Sequence, residues 1–399
     1  MKAYVVRNPA ALLPFQKPAS SVRFKEGTVG ARLRDQLTRR GLSITEIDAV
    51  TTSTLEAGSL VVQDDVVLSR RFLDAFLAAI PDRRKNYQCE IDTSRFALLT
   101  PTDPAPSYRA LPIHYYGDPR ASEVSLLRMT PTALHSVTDG LPSRMHMLTQ
   151  LRVYFLDVYA IQVAYWFDLQ TATSLYCREF VSNLVRFASF FLPTFLLVRV
   201  LASRWLMERS NSIGKNCRIH PTAILEGCVV GDNVEIGPFT YLRSSVVADG
   251  VIIREKATAK GSYLGEKAFL MASDIVNSYV GAESSIVCPM LFNVVFGERA
   301  FISGGSGFTD FILGSGQIKA LIDGKEIQSN LSFLGSAVGD DCFLGANLIF
   351  APGRTIPDGT RILDNGLVKS VPTAPGGAFV LSGSNLLQIP DNFLAPRRV

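Results

Sequence analysis

From about Asn211 to Asn365 the chain repeats an aliphatic residue, then Gly or another small residue, then two polar residues, with a step of roughly six. The clearest copies are Ile213-Gly214-Lys215-Asn216-Cys217, Val230-Gly231-Asp232-Asn233-Val234, Leu264-Gly265-Glu266-Lys267-Ala268, Val280-Gly281-Ala282-Glu283-Ser284, Val338-Gly339-Asp340-Asp341-Cys342 and Ile356-Pro357-Asp358-Gly359-Thr360. Ile219, Leu225, Ile236 and Leu242 hold the register between them. An antiparallel sheet would alternate every second residue with irregular turns. A six-residue step instead predicts a triangular solenoid, with the aliphatic residue inward, the small residue at the corner and about eight coils. The register fails from about Phe301 to Leu331, where Gly304-Gly305-Ser306-Gly307 and Asp323-Gly324-Lys325 predict a loop projecting from the coils.

Upstream, residues 1–145 read as an α/β domain. The apolar run Val61–Leu68, broken by Asp64-Asp65 and followed by Phe72, Phe76, Leu77 and Ile80, predicts a strand, an acidic turn and a helix. A ligand edge at the carboxyl end of that strand and a plain capped turn both fit this spacing. Pro101, Pro104 and Pro106 mark irregular chain. Residues 146–209, rich in Tyr, Phe, Leu and Trp, predict a helical connector, 210–366 the solenoid, and 367–399 a C-terminal tail.

Composition narrows the function. The 399 residues are 47% hydrophobic and 19% charged, which excludes a disordered or collagen-like chain. A formal charge of +4 without a long basic block excludes nucleic acid as the main partner. Six scattered cysteines without a C-x-x-C pair suggest neither a zinc cage nor a disulfide framework, but reduced thiols in a cytoplasmic protein. The first residues lack the apolar core of a secretory signal. Phe187–Val198, twelve uncharged residues around Pro193, is too short for a bilayer span, which leaves burial or peripheral membrane contact through 187–198.

Ile219-His220-Pro221-Thr222-Ala223-Ile224-Leu225-Glu226-Gly227 and Val230-Gly231-Asp232-Asn233-Val234-Glu235-Ile236-Gly237-Pro238-Phe239 resemble the first coils of the bifunctional sugar-phosphate nucleotidyltransferase/acetyltransferase family, typified by N-acetylglucosamine-1-phosphate uridyltransferase/glucosamine-1-phosphate acetyltransferase. The resemblance implies an α/β nucleotidyltransferase-like N-terminal domain, a helical connector and a C-terminal left-handed parallel β-helix that forms a homotrimer. Met1–Val6, Leu12-Leu13-Pro14-Phe15, Lys17-Pro18 and Val61-Val62-Gln63-Asp64-Asp65 are similar to the first of these domains, which implies Arg7 and Lys17 against a nucleotide and Asp64 and Asp65 on Mg²⁺. The family's glycine-rich phosphate loop is replaced by Arg7-Asn8-Pro9-Ala10-Ala11, so a degenerate domain is expected.

In the coils, the resemblance implies Arg243, Lys256 and Asn293 against a sugar phosphate or nucleotide sugar, and Ala346 and Asn347 along acyl-CoA. The family's histidine base falls near Met271, and no histidine follows His220, which leaves Asp274 or Glu283 as substitutes. The expected function is acyl transfer from acyl-CoA, nucleotidyl transfer, or both, to a sugar phosphate. The alternative is a catalytically silent trimeric scaffold or regulatory subunit.

Overall fold

The short runs Lys2–Val6 and Ser59–Gln63, five residues each, are largely buried strands, as their β-branched residues favour. In the computed structural model every residue is described except 95, 97–99, 102–106, 132, 140–150, 192–209, 288, 313–316, 364, 384 and 391–399. Two compact units emerge. The first comprises Met1–Leu12, Lys17–Ala164 and Val181–Phe191; the second comprises Leu13–Gln16, Tyr165–Phe180 and Leu192–Val399.

The first unit contains β1 (Lys2–Val6), α1 (Val29–Arg39), β2 (Ser43–Ile47), β3 (Ser59–Gln63), β4 (Val66–Leu68), α2 (Phe72–Ala79), β5 (Asn86–Asp92), β6 (Tyr108–Tyr116), β7 (Val124–Met129) and β8 (Ala160–Gln162). Its main sheet runs β7-β5-β6-β3-β1-β2, with β1 parallel to β2 and β3, and β6 antiparallel to both its neighbours. The predicted strand, acidic turn and helix are present: β3 ends at Gln63, Asp64-Asp65 turn the chain, and α2 buries Phe72, Leu73 and Phe76. Asp64 and Asp65 therefore lie beside the carboxyl end of β1, where Asp64 N donates to Val6 O. The topology is a mixed α/β sheet.

The connector departs from expectation. Leu151–Leu156 and Ala160–Gln162 are strands, and the helix α3 starts only at Trp166 and runs to Phe191. The run Leu151-Arg152-Val153-Tyr154-Phe155 is rich in strand-favouring residues, which explains the difference. Of the stretch 187–198, residues 187–191 continue α3 and 192–198 lie outside the described residues. Among the described residues, no helix is long and apolar enough to cross a membrane.

The second unit is a three-sided parallel β-helix. Short strands stack into three sheets of 8, 10 and 8 strands, parallel except for the last strand of the second, Asn385–Ile389. Ser212 pairs with Val229, Val229 with Val246 and Val246 with Tyr263, so successive rungs in these coils lie 17 residues apart. Later coils shorten to 16, as from Asn277 to Asn293. The inward apolar residues, from Leu225 through Leu242, Leu264, Val280, Phe296, Val338 and Ile356, form one continuous core. Four aspartates at this corner also have a task. Asp232 and Asp249 accept from the backbone N–H of Lys215 and Asp232 in the preceding coil, and Asp340 and Asp358 do the same for Glu298 and Asp340.

One face of the helix is already covered. Its outward residues Val246, Tyr263, Tyr279 and Val295 are buried, and Tyr176 of α3 packs edge-on to Tyr263 with ring centroids 6.4 Å apart. The expected loop is smaller than its predicted span. Phe301–Ile302 and Gly307–Phe308 still pair within the stack, and the inserted chain is a hairpin, Ile318–Ile322 with Lys325–Leu331. Ile318, Ala320 and Ile322 are buried, and Leu321 N donates to Gly353 O, so the hairpin lies against the coils. The tail expected from 367 also has structure. Gly366–Val368 is a coil strand, and the hairpin Ala378–Ser382 with Asn385–Ile389 extends one sheet beyond the last coil.

Candidate functional site

Parallel stacking places like positions of successive coils about 4.8 Å apart, so outward side chains form columns. Glu226, Arg243 and Lys260 make such a column, paired rung to rung. Arg243 is half-exposed, with Nε 3.7 Å from Glu226 Oε2. The Tyr241 hydroxyl donates to the same carboxylate oxygen at 2.7 Å, and Lys260 Nζ lies 5.5 Å from the Tyr241 ring centroid. Burial, then the Glu226 carboxylate, pushes the Tyr241 hydroxyl pKa up. Two cations one rung apart, with a carboxylate and a phenol fixing their base, can receive an anion such as phosphate. Lys256 stands elsewhere: it occupies a left-handed corner (φ 57°) before the strand Thr258–Lys260. The residue adjacent to Arg243 is thus Lys260, which the sequence reading missed; counting one 17-residue coil from Arg243 finds it.

Asn293 is buried, and both ends of its amide are engaged. Its Oδ1 accepts from Gln170 Nε2 at 3.2 Å and Asn277 Nδ2 at 2.5 Å, while its Nδ2 donates to Asp310 Oδ2 at 2.7 Å. Burial raises the Asp310 carboxyl above its ordinary range, opposed by the Asn293 donor. Asp274 is exposed at the start of the strand Asp274–Val276, and Met271 ends the strand Phe269–Met271. Ala346 and Asn347 form an exposed corner in which Asn347 (φ 57°) donates its N–H to Gly304 O. His220 is confined to a local turn, its Nδ1 within 2.9 Å of Thr222 Oγ1.

In the first unit, Arg7 pairs with Glu46 at 2.7 Å, and Lys17 lies in the short pairing of Ala11–Leu12 with Lys17–Pro18. Asp64 accepts from Asn8 N at 2.9 Å, and Asp65 accepts from Asn8 Nδ2 at 2.8 Å and Gln162 Nε2 at 3.1 Å. Burial raises the Asp65 carboxyl pKa. Amide donors therefore occupy the directions a cation would take, leaving one buried Asp65 oxygen, Oδ1, without a partner. The amide donors on Asp64 Oδ1 and Asp65 Oδ2 compete with Mg²⁺ for these oxygens. Among the described residues no group of three or more His, Cys, Asp or Glu could hold a metal ion.

The repeat, the coil length and the aspartate pairing point to one sequence pattern. Residues 212–244 match the bacterial transferase hexapeptide (six repeats) family. The matched hexapeptide coils include Glu226 and Arg243. No curated protein sequence matches the chain. Among solved structures, the UDP-N-acetylglucosamine O-acyltransferase of Moraxella catarrhalis aligns at 14% identity over 45% of this chain and 72% of that one, with a TM-score of 0.30. A polysialic acid O-acetyltransferase aligns at 12% identity over 46% and 88%, TM-score 0.24. An N-acyltransferase from Bacillus cereus, solved with dTDP-4-amino-4,6-dideoxyglucose and coenzyme A, aligns at 18% identity over 45% and 81%, TM-score 0.21.

Proposed function

We propose that the protein is a hexapeptide-repeat acyltransferase, wound left-handed, that moves an acyl group from acyl-CoA to a phosphate-bearing sugar or nucleotide sugar. The observation that carries this reading is that the family match falls on the coils holding Glu226 and Arg243, with Lys260 one rung beyond. Arg243 and Lys260 would hold the acceptor's phosphate, with Lys256 at the neighbouring corner. The small Ala346-Asn347 corner would let the pantetheine arm approach the backbone. In the transfer, the acceptor's nitrogen or oxygen attacks the thioester carbonyl, a C–N or C–O bond forms, the C–S bond breaks and CoA leaves as a thiol.

The N-terminal unit is read as a nucleotidyltransferase-like domain that no longer transfers nucleotides. Pro9 lacks an N–H, and Asn8 is occupied by Asp64 and Asp65. A homotrimer is proposed from the faces α3 does not cover. Met290, Phe343 and Leu367 are 43–51% exposed, and Phe343 stacks on Phe301 at 4.9 Å. A cytoplasmic location is proposed from the five described cysteines, all of them free.

The second reading, a silent scaffold, draws on the absence of an imidazole from the described coils beyond His220. Thermal shift separates the two. Acetyl-CoA at a hundred times its dissociation constant should add about 2.7 kcal/mol of stability. Arg243→Ala combined with Lys260→Ala should abolish the shift given by glucosamine 1-phosphate and keep the one given by acetyl-CoA. An unchanged midpoint with acetyl-CoA would favour the scaffold.

A further inference from the structure

In the first unit, α1 buries an apolar stripe of Val29, Leu33 and Leu37, and beside it carries a polar stripe at the same helical spacing: Arg32, Asp35, Gln36, Arg39 and, at the helix end, Arg40. This second stripe lines a cleft of about 370 Å³, completed by Glu26 from the turn between Arg23–Phe24 and Gly27–Thr28 and by Arg70 after β4. That volume suits a small metabolite better than a lone ion. Guanidiniums outnumber carboxylates four to two on the wall, and four to three when Asp74 behind Arg40 is counted. The cleft therefore favours a negatively charged ligand.

Two of the guanidiniums are fixed in place. Arg32 is buried, pairs with Glu26 and lies 5.9 Å from the centroid of the Phe24 ring. Arg40 holds both oxygens of Asp74, at 2.7 and 2.8 Å, and donates to Arg70 O. The other two are held only by exposed partners: Arg39 pairs with Asp35 at 2.8 Å and Arg70 with Glu26 at 3.3 Å, with all four side chains 49–69% exposed. Exposed pairs of this kind contribute about 0–1 kcal/mol, so a phosphate gripped by two guanidinium forks displaces the carboxylates at little cost. Asp35 and Glu26 then require new donors, which a bare anion lacks and the hydroxyl groups of a sugar supply. Gln36 sets the floor: its Nε2 donates to Leu68 O at 3.1 Å, and its buried Oε1 has no partner among the described residues.

We propose that this cleft binds a hydroxylated phosphate ester, the chemistry shared by a sugar phosphate and a nucleoside monophosphate. Arg39 and Arg70 take the phosphate, Arg32 and Arg40 supply the fixed positive wall, and the ligand's hydroxyls donate to Asp35 and Glu26. The site is distinct from Asp64-Asp65, which precede β4, because Gln36 anchors the cleft floor to Leu68 at the other end of that strand. It is also independent of Arg243 and Lys260, which belong to the second unit. A domain that has lost its glycine-rich phosphate loop thus keeps a ligand site of its own.

The test is titration calorimetry on the full chain carrying Arg243→Ala and Lys260→Ala, which removes the coil column as a source of heat. Glucose 1-phosphate and uridine monophosphate are the probes, and sulfate at matched ionic strength is the bare-anion control. At least one ester should bind with a dissociation constant below about 1 mM and about tenfold tighter than sulfate, and the tighter ester names the source. Adding Arg39→Gln and Arg70→Gln, both exposed, should weaken that binding by about tenfold or more with the melting midpoint unchanged. Arg84→Gln, at a side chain 95% exposed and outside the cleft, should leave the binding as it was. The proposal is overturned if neither ester binds, if sulfate binds equally well, or if the Arg39 and Arg70 changes have no more effect than Arg84→Gln. None of these results bears on acyl transfer at the coils.

Discussion

At Gly297 a methyl group has no room: an added Cβ would lie 2.5 Å from the carbonyl carbon and oxygen of Gly339 in the next coil. Gly281 faces the same limit against Gly297. These glycines are fixed by the close approach of one coil to the next. Gly297→Ala should lower the urea midpoint by the equivalent of about 1–3 kcal/mol, whereas Gly261→Ala, which has open space but a left-handed φ of 57°, should cost only about 1 kcal/mol. Equal losses would contradict the stacking. The glycine step was legible because the same constraint recurs in most coils, Ala248 and Pro357 taking the position in the others. Lys260 was not, because the motif was matched 13 residues after Arg243, whereas a rung of this solenoid returns after 17. The commitment of Asn293 was equally hidden. Asn277 lies 16 residues before it, but the amide contacts also depend on Gln170 from a helix more than a hundred residues upstream.

Among elements, β6 carries a test of burial by pH. His114 lies in this strand between β3 and β5, with its ring 6.0 Å from Tyr116 and its Nδ1 buried without a partner. Burial holds its pKa below the ordinary value of 6.5. The folded protein therefore takes up the proton less readily than the unfolded chain. Stability from this site is fully present above pH 6.5 and falls as pH drops through the lower folded pKa. Urea midpoints at pH 7.5 and pH 5 should diverge more in the wild type than in His114→Phe; parallel profiles would remove the assigned penalty. The β3 strand, acidic turn and α2 were readable because their apolar spacing is local. The connector was misread because aromatic composition does not separate a strand such as Leu151–Leu156 from a helix. The hairpin at 318–331 was mistaken for a projecting loop because its buried Ile318, Ala320 and Ile322 contact coils distant in sequence.

For the whole molecule, one face of the solenoid is occupied by α3, while Phe343, Met290 and Leu367 face outward elsewhere. Light scattering on the eluted protein should give three times the 43.6 kDa chain mass, and Phe343→Glu with Leu367→Glu should lower it; a monomeric wild type would contradict the packing proposed for these faces. The most direct measurement is product mass spectrometry after incubation with acetyl-CoA and each phosphate-bearing amino sugar. The acyltransferase reading predicts one acceptor heavier by an acetyl group with free CoA in equal amount. Unmodified acceptors throughout, together with no binding of acetyl-CoA, would contradict it.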